Sequence, residues 1–135
     1  MAGLNVGSLD DIVVSVLTTV MGHQPDKGWI ITDGGWMAMS RDRGTSSQKI
    51  DQGYGVVCDV NGKPLDGLIV TSTNQEHGII GRRGGGSIDP AKFPVGTQLR
   101  VLPNHACATA AQHDRYNVVD GTADVLAVWP RFSGW

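Results

Sequence analysis

Tyr54-Gly-Val-Val-Cys-Asp-Val-Asn-Gly-Lys-Pro-Leu-Asp-Gly-Leu-Ile-Val-Thr-Ser72 decides the fold. Residues 54–60 are rich in valine and read as a strand. Asn61-Gly62 is the strongest hairpin signal in the chain, able to supply positive φ at both central positions of a two-residue turn. Leu65 to Ser72 then forms the return strand. Upstream, Ile12 to Val20 reads as another strand with both faces at least partly covered, because so many positions are Val, Ile or Thr. Pro25-Asp26-Lys27-Gly28 suits a type I turn. Trp29 to Asp33 is a further strand, stopped by Gly34-Gly35. Trp36 to Gly44 reads as one short helical turn or an extended edge, and residues 44–53 as a polar surface loop.

Downstream, Asn74-Gln-Glu-His-Gly78 is a polar cluster beside Ile79-Ile80, and Gly81 to Ser87 a flexible loop. Pro90 to Gly96 is a turn. Thr97 to Val101 alternates like a half-buried strand, and Pro103 marks its end or an edge, since proline cannot donate to a ladder. Ala108 to Asp114 reads as a short turn or bend. Arg115–Val119 and Thr122–Trp129 flank Asp120-Gly121 as a second hairpin, ended by Pro130. Six to eight short strands near ten-residue intervals, with 19 glycines mostly between apolar runs, place the chain in the all-β class. A small antiparallel β-barrel and a sandwich both fit the pattern.

The 135 residues are one domain's worth of chain, with residues 1–8 as a lead-in segment. A formal net charge of −2 gives no electrostatic case for nucleic acid or an anionic membrane as partner. No apolar run approaches the roughly 20 residues that span a bilayer, and no basic, apolar export signal opens the chain. Cys58 and Cys107 are therefore expected as reduced thiols in a cytoplasmic protein.

Chemistry concentrates in Leu102-Pro-Asn-His-Ala-Cys107. If the backbone stays extended there, His105 and Cys107 leave the same face. An imidazole and a thiolate then present two borderline-soft ligands, a pair that zinc accepts at about 2.0–2.3 Å. The alternative is a buried thiol beside a hydrogen-bonded histidine. Asp33 ends an apolar run, where a carboxylate serves either as a site residue or as an acceptor for turn amides. Glu76-His77 offers an acid, base or ligand. His113 and Asp114, being adjacent, would point to opposite faces of an extended chain, and His23 carries no assignment. The glycine loop at 81–87 lacks the spacing of a phosphate-binding P-loop. No serine-centred nucleophile elbow or Cys-x-x-Cys pair is present.

Taken together, Thr32-Asp-Gly-Gly-Trp-Met-Ala-Met-Ser40, Gln75-Glu-His-Gly78, Pro94-Val-Gly96, Leu102–Cys107 and Tyr116-Asn-Val-Val-Asp-Gly121 occur in an order that resembles the C-terminal domain of D-serine dehydratases and D-threonine aldolases. The resemblance runs from about Leu9 to Trp135. It implies the β-domain of alanine racemase-like enzymes, which follows an N-terminal (β/α)8 barrel holding pyridoxal phosphate on a lysine. It further implies His105 and Cys107 as metal ligands. Cysteine rather than aspartate at 107 favours zinc and the dehydratase branch. In such chemistry the ion helps the substrate hydroxyl leave, and pyridoxal phosphate supplies the electron sink. His77 and Asp33, with Glu76, are the further site residues expected. A D-amino-acid substrate, the missing barrel domain and a second copy of the chain in a homodimer are the implied partners.

The departure is that Lys27, Lys49, Lys63 and Lys92 all fall in loops or turns, and none resembles the cofactor lysine. The chain alone is thus expected to lack dehydratase or aldolase activity, with Met1 internal to a longer protein or the start of a trimmed one. The competing expectation is a standalone β-barrel binding or structural module, with His105 and Cys107 as packing residues.

Overall fold

The computed structural model describes residues 6–132. In chain order the elements are β1 (Val16–Gln24), β2 (Trp29–Thr32), α1 (Trp36–Met39), β3 (Gly55–Cys58), β4 (Pro64–Thr73), β5 (Gly78–Arg82), β6 (Gln98–Pro103), α2 (Ala106–Ala110), β7 (Arg115–Val118) and β8 (Ala127–Pro130). Six strands close a barrel in the order β1-β2-β5-β4-β3-β6, and β7 and β8 form a separate two-stranded ribbon. Every pairing in the barrel is antiparallel, including the closing one between β1 and β6. Closure is the physical choice between the two expected architectures, because it leaves none of the six strands with an unpaired edge. Register shifts after Val20, Val56 and Val70 bend the strands as bulges do.

The core is the barrel interior, where Val20, Ile30, Val57, Val70 and Ile80 are sealed from solvent and Leu99 nearly so. β1 differs from the expectation in position and in faces. It starts at Val16 and runs on to Gln24, because Gly22, His23 and Gln24 pair with Ile31, Ile30 and Trp29. Val16, Thr18 and Val20 point inward while Leu17 and Met21 are exposed. A barrel wall buries one face of a strand, whatever its β-branched content.

β3 is buried on both faces. Val57 points into the core, while Val56 and Cys58 face outward with Leu102 and are covered by Leu9 and Ile12. That cover is held by a single 3-10 turn, Leu9–Asp11. Ser8 caps it, donating its amide to Asp11 at 2.7 Å and accepting the Asp10 amide at 3.2 Å. Of the expected lead-in, residues 1–5 lie outside the described residues.

The central hairpin is present, but its turn is not a two-residue one. Cys58 pairs with Pro64, so residues 59–63 form the loop. Asp59 organises it, accepting the amides of Asn61 at 3.0 Å and Lys63 at 2.9 Å. Gly62 has φ 88°, and Asn61 is not in the left-handed region. The second hairpin also has a longer loop, since Val118 pairs with Ala127 across residues 119–126. Arg100 of β6 donates to the Thr122 carbonyl at 3.2 Å and draws that loop toward the barrel. β5 emerges from what read as a polar cluster and a loop. Its Ile80 pairs with both Ile30 and Val70. Among the described residues no helix is long and apolar enough to cross a membrane.

Candidate functional site

The segments that carry chemistry meet at α1. β2 ends at Thr32, and Asp33-Gly34-Gly35 leads into the helix. A Cβ at position 35 would stand 2.3 Å from the Gln75 carbonyl oxygen and 2.5 Å from that of Asn74, so only glycine fits. This close approach lets the Trp36 and Met37 amides donate to Asn74 and Gln75 at 2.9 and 3.3 Å. The 74–77 turn, closed by Asn74 N to His77 O at 2.8 Å, thereby satisfies the open N-terminus of α1. The sequence segments 32–40 and 75–78 are one structural piece.

His77 is exposed on that turn. It lines a shallow cleft of about 410 Å3 with Gln24, Trp29, Ile31, Asn74 and Ile79. Asp33 accepts the Thr18 hydroxyl and the Thr19 amide on one oxygen, each at 2.7 Å. Its bonds go to β1 across the sheet rather than to its own turn. His113 donates to or accepts no proton from Asp114; its Nε2 donates to the Ala38 carbonyl at 2.9 Å, and Asp114 pairs with Arg115. His23 is tied to the Phe93 carbonyl at 2.6 Å.

His105 and Cys107 do not lie on an extended strand. β6 stops at Pro103, His105 is the N-cap of α2, and Cys107 is the second residue of that helix. The alanine-rich Ala106-Cys-Ala-Thr-Ala110 favours a helix where a bend was expected. Thr109 fixes the helix in place: its buried hydroxyl donates to the Met39 carbonyl at 2.8 Å. Asn104 donates to the Gly53 carbonyl at 2.5 Å, anchoring the turn between β6 and α2. His105 and Cys107 are both exposed, so the buried-thiol alternative does not describe Cys107. That description fits Cys58, fully sealed, whose thiol is pushed up to about 11 by burial and by the Asp59 charge, with Arg100 opposing.

One residue that sequence reasoning missed joins this group. Asp42 Oδ2 stands 2.5 Å from His105 Nδ1, across 63 positions of sequence. No local signal in the sequence marks such a contact. Among the described residues the other ring nitrogen, Nε2, and the Cys107 sulfur take no protein partner. No group of three His, Cys, Asp or Glu side chains is placed to hold a metal among the described residues. The donor set of one imidazole nitrogen and one thiol nonetheless fits a zinc-type ion that keeps most of its coordination positions for water or substrate.

Comparison with known proteins shows the family and the fold of the chain. The family model for the serine dehydratase domain matches residues 13–119. D-threo-3-hydroxyaspartate dehydratase from Delftia sp. (strain HT23) is 53% identical over all of this chain, which spans 36% of that protein. D-serine dehydratase from Dictyostelium discoideum is 30% identical over 87% of the chain, which spans 29% of it. The chain thus has about a third of the length of these curated relatives. Two solved mutants of D-threo-3-hydroxyaspartate dehydratase superpose on the whole chain with a TM-score of 0.93 at 50% identity, covering 35% and 36% of those chains. One replaces a histidine by alanine; the other replaces a cysteine two positions further along and is in the metal-free form. An alanine racemase-like protein from Idiomarina loihiensis matches 98% of this chain and 35% of its own, at a TM-score of 0.86 and 50% identity. By sequence and by fold, the chain belongs to the serine dehydratase domain family and corresponds to the C-terminal β-domain of these alanine racemase-like enzymes.

Proposed function

We propose that this chain is the metal-bearing domain of a pyridoxal-phosphate-dependent lyase that removes water from a D-amino acid carrying a 3-hydroxyl. The single observation that carries the reading is the exposed pair at the start of α2. His105 offers an unpartnered Nε2, and Cys107 an exposed thiol two residues on. The same two residue types, at the same spacing, are the ones replaced in the solved dehydratase mutants, and the cysteine mutant is in the metal-free form. Thiolate at 107 suits zinc and the dehydratase rather than the aldolase branch.

In this reading His105 and Cys107 hold the ion, which supplies Lewis acidity toward the leaving hydroxyl. Pyridoxal phosphate belongs to a barrel domain beyond this chain. His77, on the cleft rim, is the proton-transfer candidate of this domain, with Glu76 beside it. Asp33 acts by holding β1 against the start of α1 through Thr18 and Thr19. The complete enzyme is a cytoplasmic homodimer, and this domain alone is inactive.

The test is equilibrium dialysis of the purified chain against zinc, read by atomic absorption. One zinc per chain, lost in both His105→Ala and Cys107→Ala, is the expected result. No zinc in the unaltered chain returns the reading to a binding or structural module. Titration with pyridoxal phosphate is expected to leave the cofactor's absorbance spectrum unchanged; a new band would place a cofactor lysine within this chain.

A further inference from the structure

We propose that Asp42 is the positioning residue of His105: it holds the ring by Nδ1 and so directs Nε2 outward as the metal-binding nitrogen. This deepens the reading above and rests on it for the ligand role of His105. The argument starts from atoms. A carboxylate only accepts, so the 2.5 Å contact between Asp42 Oδ2 and His105 Nδ1 requires the proton on Nδ1. In a neutral ring that leaves the lone pair on Nε2, the nitrogen without a protein partner. Metal-bound histidines generally donate their other ring N–H to such a carboxylate, which fixes tautomer and ring orientation.

The contact is built rather than casual, for three reasons. First, His105 is the N-cap of α2 and its side chain makes no capping bond, so the imidazole is free for another use. Second, the backbone is bent to bring Asp42 there. Ser40 closes α1 with φ 74° and ψ 171°, the single described non-glycine residue at positive φ. L-residues adopt that conformation only when their surroundings impose it. The Ser40 hydroxyl accepts the Asp42 amide at 3.3 Å, and Arg43 is pinned beyond it by its ion pair with Asp51 and by the Tyr54 ring. Third, α1 and α2 are locked to each other independently of this pair, through Thr109 to Met39 at 2.8 Å and His113 to Ala38 at 2.9 Å. Asp42 and His105 therefore meet without having to hold the helices together. With side-chain exposures of 40% and 49%, they add little as an exposed ion pair. What the pair does fix is an orientation.

The experiment is long-range proton–nitrogen correlation NMR of the 15N-labelled chain without metal, at a pH where the ring is neutral. Zinc affinity by competition titration is measured alongside. The unaltered chain is expected to show His105 as the Nδ1–H tautomer. Asp42→Asn keeps an accepting oxygen and should keep that tautomer. Asp42→Ala should shift the ring toward Nε2–H and weaken zinc about 10–100-fold, with Asp42→Asn weakened less. An unchanged tautomer in Asp42→Ala overturns the proposal, whatever the zinc result. If the tautomer shifts but no variant, nor the unaltered chain, binds zinc, positioning by Asp42 stands and the metal-site reading fails.

Discussion

Cys58 and Cys107 are the same side chain in opposite surroundings, and the contrast separates what this fold builds from what it presents. Cys58 sits on β3 between the barrel wall and the Leu9–Ile12 cover, fully sealed, with its thiol pushed up to about 11. Cys107 sits exposed on a five-residue helix that only a few hydrogen bonds hold against α1. A sulfur kept protonated in hydrocarbon is a packing atom; one at the surface beside an oriented imidazole is available as a ligand. The difference comes from position in the barrel. β3 is covered on both faces, whereas α2 caps the end where β6 runs out.

The largest expected effect is kinetic. An exposed-thiol reagent should modify Cys107 in the native chain at least about 100-fold faster than Cys58, because Cys58 is reached only when the Leu9–Ile12 cover lifts from the barrel wall. Similar rates for the two would dissolve the contrast.

The next effect is a pH dependence. The Cys58 thiol has an ordinary value of 9.0 and is raised to about 11 in the fold. Between those values the unfolded chain has lost the proton and the native chain keeps it. Stability contributed by Cys58 is thus complete below pH 9 and lost as pH rises toward 11. Compared with Cys58→Ala, the unaltered chain should lose on the order of 2–3 kcal/mol across that interval, measured by urea unfolding. A pH-independent difference would mean that the thiolate is solvated in the fold.

Truncation sharpens the same comparison. Cys58→Ala should cost about 1–2 kcal/mol near neutral pH, from lost packing under Leu9 and Ile12. Cys107→Ala should change stability by less than about 0.5 kcal/mol. The smallest effect belongs to Asp42→Asn, which should also stay within about 0.5 kcal/mol by the same measurement, since its partner is a half-exposed imidazole. A large loss there would make Asp42 a structural staple instead of an orienting group.

The strands were legible where the sequence is periodic. The strands expected at 54–60, 65–72 and 97–101 are present as β3, β4 and β6, though β3 stops at Cys58 and leaves Asp59 and Val60 to the loop, and β6 runs from Gln98 to Pro103. Turn lengths were not legible, because they are set by partners outside the turn dipeptide. Asp59 takes up the amides around Asn61-Gly62, and Arg100 holds Thr122 from another strand. β5 was missed because Gly78-Ile-Ile-Gly-Arg82 is short and glycine-flanked; only its neighbours Ile30 and Val70 make it a strand. His105 and Cys107 were readable as a pair of residue types, but the helix that carries Cys107 was not. Strand ends are decided by ladder partners, and β3 offers none past Gly55. Asp42 was invisible in principle, since its role exists only through a contact 63 positions away.

The most direct test of the contrast is the visible and near-ultraviolet spectrum of the chain loaded with cobalt(II) in place of zinc. Sulfur bound to cobalt gives a charge-transfer band that nitrogen and oxygen ligands do not. That band is expected in the unaltered chain and in Cys58→Ala, and should be absent from Cys107→Ala. A band that survives in Cys107→Ala, or none in the unaltered chain, would contradict the assignment of a metal to the His105–Cys107 pair.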